Sequence, residues 1–93
     1  MTEQRQLHAI IHGAVQGVGF RWWTRQMARR LRLSGYVRNL PDRTVEVVAE
    51  GPQKTLHEFL SLLRQGPSSA IVRQVKDTWA PNSGAFVGFE VRF

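Results

Sequence analysis

The chain has 93 residues, with 13 Lys plus Arg against 7 Asp plus Glu, a formal net charge of +6 and no cysteine. A chain of this length makes one domain, residues 1–93, which buries only roughly 60–65% of its unfolded surface and must commit most of its large apolar side chains to the core. Lack of cysteine excludes a disulfide framework, thiolate chemistry and a Cys-rich metal site and favours a reducing compartment, while the basic excess favours anionic partners, small phosphates and nucleic acid alike.

The opening residues, Met1-Thr2-Glu3-Gln4-Arg5-Gln6, are polar, and no apolar run is long enough for a signal h-region or a membrane span, so the expected location is the cytoplasm. Leu7, Ala9 and Ile11 alternate with His8, Ile10 and His12, the period of a first strand. It runs into Gly13-Ala14-Val15-Gln16-Gly17-Val18-Gly19-Phe20-Arg21. Trp23, Met27 and Leu31 then recur at helical spacing beside Phe20 and Ala28, with Arg25, Arg29 and Arg32 opposite, which predicts an amphipathic helix with a basic, solvated outer face. Residues 35–40 and 44–50 read as two strands joined at Pro41-Asp42-Arg43, a hairpin. After Gly51-Pro52, Leu56, Phe59, Leu60 and Leu63 mark the buried face of a second helix closed by Gly66-Pro67. Residues 71–79 and 86–93 read as further strands. The order is that of an α+β, ferredoxin-like βαββαβ sandwich: two helices packed on one face of a mainly antiparallel sheet, with an extra C-terminal strand.

The glycine loop carries the chemistry. Glycine accepts positive φ and lets a ligand approach closely, so successive backbone N–H groups can turn inward as an anion nest. The loop opens a helix whose first N–H groups lack intrahelical acceptors and lie at the positive end of the dipole. Arg21 adds a planar two-pronged donor matched to phosphate oxygens. The string is neither Gly-x-Gly-x-x-Gly nor Gly-x-x-x-x-Gly-Lys-Ser/Thr, and as a generic pattern it would also suit a plain strand-to-helix turn. Elsewhere the chain offers no acid–base pair and no Ser-His-Asp order. His8 and His12 share a strand face but stand about 13 Å apart at ~3.3 Å per residue, too far for one metal, and His57 falls on the solvated side of the second helix. No metal and no cofactor is expected.

The loop from Gly13 to Arg21, followed by Gly35-Tyr36-Val37-Arg38-Asn39 and Val45-Glu46-Val47-Val48-Ala49-Glu50-Gly51, closely resembles the acylphosphatase family over nearly the whole chain. The resemblance implies hydrolysis of the carboxyl–phosphate bond of a small-molecule acyl phosphate. In it Arg21 grips the phosphoryl group, the backbone N–H groups of Val15, Gln16, Gly17, Val18, Gly19 and Phe20 complete the cradle, and Asn39 orients the attacking water. Such a reaction needs no metal, nucleophile or general acid, because a carboxylate leaves without a proton. Inorganic phosphate and sulfate are expected to compete, and the chain to act as a monomer. Arg38 is expected on the opposite strand face from Asn39, and Trp23 in the core. The family commonly has Gly where this chain has Arg32 and Arg43, at positions where positive φ is typical. RNA-recognition domains share the architecture, but they need aromatic residues on the third strand, where residues 44–50 carry none and two carboxylates instead, so nucleic acid is the less favoured partner.

Overall fold

Alternation along the first strand decides the layering. In the computed structural model, which describes residues 3–93, β1 (Gln4–Ala14) turns Leu7, Ala9 and Ile11 to one face, where all three are fully buried, and His8, Ile10 and His12 to the other. Met1 and Thr2 of the polar opening lie outside the described residues. β1 pairs antiparallel with both β3 (Val45–Pro52) and β4 (Ile71–Pro81). β2 (Ser34–Asn39) pairs antiparallel with β3 and, on its other side, parallel with β5 (Phe89–Arg92), so the sheet order is β4-β1-β3-β2-β5. The register sets Ala9 opposite Val47 and Val47 opposite Val37. These residues form the floor of the core, and α1 (Phe20–Arg30) and α2 (Gln53–Gln65) close it from one side with Phe20, Ala28, Leu56, Phe59, Leu60 and Leu63. The ferredoxin-like arrangement expected from the sequence is the one observed. Phe59 meets Phe89 edge-on at 6.1 Å, locking α2 to the C-terminal strand, and burial of each such side chain stabilises the fold by about 1.5–3 kcal/mol.

One face was misjudged from the sequence. The buried stripe of α1 is Phe20, Thr24 and Ala28, with Trp23, Met27 and Leu31 packed beside it. The helix is therefore turned by about one residue from the expectation built on Trp23. A threonine hid the centre of the stripe because apolar periodicity does not count it, yet its methyl packs like valine; its Oγ1 is buried without a hydrogen-bond partner. The turn also brings Arg25 into partial burial, whereas Arg29 stays exposed.

Both departures from glycine adopt the backbone that glycine would favour. Arg32 has φ 58° and Arg43 φ 72°. At the end of α1 the Leu33 N–H donates to the Ala28 carbonyl (2.9 Å) and the Arg32 N–H to that of Arg29 (3.1 Å), a Schellman closure whose apolar partners, Ala28 and Leu33, lie in the core. In the hairpin, the Leu40 N–H donates to Thr44 (2.9 Å) and the Arg43 N–H to Leu40 (3.2 Å), leaving Arg43 as the left-handed residue after Pro41-Asp42.

β5 begins at Phe89 rather than at residue 86, because the preceding segment is held on the other face of the sheet. The Glu50 carboxylate accepts from the Ser83 N–H (2.7 Å), the Ser83 hydroxyl (2.7 Å), the Gly84 N–H (3.0 Å) and the Gln6 amide (2.7 Å), and the Phe86 ring lies 5.8 Å from that of Tyr36. Burial pushes the Glu50 carboxyl up, but the Ser83, Gln6 and Gly84 hydrogen bonds outweigh it and hold the group below the ordinary glutamate value.

Two tests of this architecture concern stability. A left-handed conformation costs a Cβ-bearing residue about 1 kcal/mol, partly returned by the larger unfolded-state entropy of glycine. Arg32→Gly and Arg43→Gly should therefore be neutral to stabilising in denaturant midpoints; a clear loss in either would place that arginine at negative φ. For Glu50 the folded-state pKa is depressed, so its contribution is complete above the unfolded value and lost as pH falls through the folded one. Glu50→Gln should lower stability by about 1 kcal/mol near neutral pH, and the gap to the parent should close below about pH 4.3. Urea midpoints at pH 7 and pH 3 measure it, and an undiminished gap at pH 3 would contradict the assignment.

Candidate active site

The site is built where β1 leaves the sheet. The β1–β4 register shifts between His12 and Gly13, and Gly13 has φ 137°, with a Cβ there falling 2.0 Å from the Ile71 carbonyl oxygen. Only glycine fits this bulge, which swings the chain out of the sheet and towards the helix layer. Gly17 (φ 74°) and Gly19 (φ 77°) then coil the loop in left-handed conformations, with open space where a Cβ would lie. Glycine is required there by conformation alone.

Three contacts fix this loop. Val15 is buried in the core. The Gln16 amide donates to the carbonyls of Leu40 (2.9 Å) and Thr44 (2.8 Å), tying the loop to the hairpin turn just beyond Asn39. The Ser69 hydroxyl donates to the Val18 carbonyl (2.8 Å) from the α2–β4 connection. The N–H groups of residues 16–20 find no backbone acceptor among the described residues, and Gly19 caps α1 without any side-chain cap. The first turn of the helix thus presents unmet donors at its positive end.

Arg21 stands in that same first turn, which holds no acidic residue. A cation at a helix N-terminus is disfavoured by about 0.3–1 kcal/mol, and Arg21 makes no ion pair among the described residues. Its guanidinium lies instead over the Phe93 ring, 4.9 Å from the centroid. Asn39 ends β2 on the helix-covered face, opposite Val45. Its Oδ1 is buried with no hydrogen-bond partner, an arrangement that costs about 1–3 kcal/mol unless something donates to it.

Val15, Gly17, Gly19, Phe20, Arg21 and Asn39 line one pocket of about 490 Å³. Gln16 and Val18 do not line it: their side chains turn to the hairpin and the core, so any part they take is through the backbone. Six further residues of the lining, Trp22, Arg25, Arg29, Glu90, Val91 and Phe93, were not read as site residues from the sequence. The signal for two of them was present, since Arg21, Arg25 and Arg29 are spaced i, i+4, i+8 and must share a row once Arg21 faces a ligand. The basic face expected to be merely solvated is thus in part the wall of the pocket.

The remaining titratable groups lie elsewhere. Arg38 points to the opposite face, as expected, where its Nε donates to Glu46 at 2.6 Å and His8 meets the same carboxylate at 2.9 Å. Burial raises the Glu46 carboxyl, but the His8 and Arg38 hydrogen bonds outweigh it and leave the group below its ordinary value. His57 stacks on Trp79 at 4.7 Å. Among the described residues no three His, Asp or Glu side chains converge as metal ligands, and no helix is long and apolar enough to cross a membrane.

A nest of backbone donors, a guanidinium and an uncharged amide around one pocket fit a phosphoryl group and a water. Comparison with known proteins identifies the family. The acylphosphatase family model matches residues 7–91. The acylphosphatase of Nocardia farcinica is 49% identical over 94% of this chain and 87% of its own length, and that of Saccharopolyspora erythraea 46% identical over 98% and 96%. The crystal structure of acylphosphatase from Bacillus subtilis superimposes with a TM-score of 0.92 at 31% identity, covering 96% of this chain and 99% of that one. With the family match spanning nearly all of the sequence and the fold reproduced, the chain belongs to the acylphosphatase family, hydrolases of small-molecule acyl phosphates.

Proposed function

We propose that the enzyme cleaves the carboxyl–phosphate bond by in-line attack of a water on a phosphoryl group held between Arg21 and the backbone N–H groups of residues 15–20. The observation that carries this reading is the orphaned Asn39 Oδ1 in the same pocket as Arg21. Asn39 accepts one hydrogen bond from the water and donates another without adding a charge that would repel the substrate. Arg21 and the nest spread the charge of the equatorial oxygens, which is positioning and electrostatics rather than covalent chemistry. As water oxygen bonds to phosphorus, the bond to the acyl oxygen breaks and its electron pair leaves on a carboxylate. The water proton passes to the phosphate or to solvent. A leaving group with a pKa of about 4 needs no general acid, in keeping with a pocket whose lining holds no histidine.

The anion also relieves local cost. Bound phosphate neutralises a guanidinium set against the helix dipole and satisfies the free N–H groups, and the attacking water supplies the donor that Asn39 Oδ1 lacks. We assign residues 1–93 to one catalytic domain acting as a monomer in the reducing cytoplasm, which suits a chain without cysteine. Nucleic acid is disfavoured as a partner by Glu46 and Glu50 on the central strand of the open sheet face.

Steady-state kinetics with an aromatic acyl phosphate test the roles. Turnover should survive excess chelator, and phosphate and sulfate should inhibit competitively; loss with EDTA and recovery with Mg²⁺ or Zn²⁺ would overturn the metal-free route. Arg21→Ala should impair both phosphate inhibition and turnover, and Arg21→Lys should not rescue, because a point charge lacks the bidentate fork. Asn39→Ala should lower kcat by roughly 10² while leaving the phosphate inhibition constant nearly unchanged. Near-normal turnover in that variant would refute the water-orienting role. Gln16→Ala, which frees the loop from the hairpin, should lower kcat by about 10-fold through misplacement of Asn39; an unaltered kcat would show that the amide clamp is dispensable.

A further inference from the structure

The phosphoryl cradle accounts for one part of the pocket, and the rest of the wall belongs to α1. Trp22, 57% exposed, presents its indole there. Arg25 lies one turn beyond Arg21 on the same row, its guanidinium 4.8 Å from the centre of the Trp22 ring. It makes no ion pair among the described residues. Arg29, the next in the row, is committed: its Nε donates to the Phe89 carbonyl at 3.3 Å and fastens α1 to β5. The helix has no acidic residue to balance this row, and like charges at i, i+4 repel. The one acid among the lining residues, Glu90, alternates with Phe89 and Val91 along β5, so its side chain belongs to the opposite sheet face. Arg25 is thus a cation without an acidic partner among the described residues, beside a flat apolar surface and inside the same pocket as Arg21.

We infer that Arg25, seated on Trp22, is a specificity-determining residue that binds a second anionic group on the acyl chain, so that the preferred substrates are monoacyl phosphates of short dicarboxylic acids. The inference rests on the acyl phosphate hydrolysis proposed above. A guanidinium fork matches the two oxygens of one carboxylate. The spacing is also compatible, because four residues along the helix rise about 6 Å, comparable to the span from phosphoryl to far carboxylate in a four-carbon diacid. The intervening methylenes lie against the Trp22 ring.

The test compares succinyl phosphate with butyryl phosphate, which differ in a terminal carboxylate against a methyl, using initial rates corrected for spontaneous breakdown. The parent enzyme should favour succinyl phosphate in kcat/KM by about 10-fold or more, the scale of one charge-assisted contact, and the preference should shrink with added salt. Arg25→Gln should collapse the ratio to near unity, whereas Arg30→Gln, an exposed charge outside the pocket, should keep it. Equal kcat/KM for the two substrates in the parent, or a ratio that persists in Arg25→Gln, would overturn the assignment of Arg25 while leaving the proposed hydrolysis standing. Failure of the parent to hydrolyse either would overturn both.

Discussion

The close approach of the β1 backbone to the β4 backbone at Gly13 is the constraint from which the site follows. With the Ile71 carbonyl oxygen where a Cβ would be, the bulge forms only with glycine and ends regular pairing at the point where the chain must leave the sheet. A strand that continued straight would carry Val15 and Gln16 along the sheet edge. Instead Val15 drops into the core, Gln16 reaches the hairpin turn, and Gly19 starts α1 beneath the pocket. The same glycine therefore sets where the free N–H groups point and how far they lie from Asn39.

Around that constraint the molecule tolerates features that would each lower stability in isolation. Arg21 opposes the helix dipole, Arg25 repeats its sign one turn on, and Asn39 Oδ1 is buried without a donor. Violations of local rules concentrated at one pocket are the pattern expected of a functional site. Thr24 and His12 also bury unpartnered atoms, but neither lines the pocket, so a lone orphan atom is not diagnostic. The convergence of an orphan acceptor, free N–H donors and an unpaired guanidinium on one pocket is what distinguishes this one.

The elements and their order were legible because apolar residues recur with the right periods in β1, β3 and α2, and because Gly66-Pro67 and Pro41-Asp42-Arg43 punctuate the chain. The glycine loop was legible as a candidate anion nest from its composition, whereas only the family resemblance pointed to Asn39. Less legible was whatever depended on rotation about a helix axis: Thr24 counts as polar in a periodicity argument, so the stripe of α1 was centred one residue away and the half-buried Arg25 was sent to solvent. The late start of β5 was hidden for a different reason. Residues 86–88 have strand-like composition, and what holds them elsewhere is a carboxylate on β3, 33 residues before Ser83, which no local pattern reports.

The sheet finally separates two kinds of charge. Arg38 and Asn39 are neighbours, yet alternation sends the arginine to the open face, where Glu46 binds it together with His8 and the Tyr36 hydroxyl, and the amide to the pocket. Both carboxylates of the central strand, Glu46 and Glu50, lie on that open face and are engaged there by side chains and by the segment preceding β5. Had Glu46 been displaced by one residue, its carboxylate would have taken the place of Val45 on the helix-covered face, opposite Asn39. The strand register that builds the core thus also turns both carboxylates of the central strand away from the pocket.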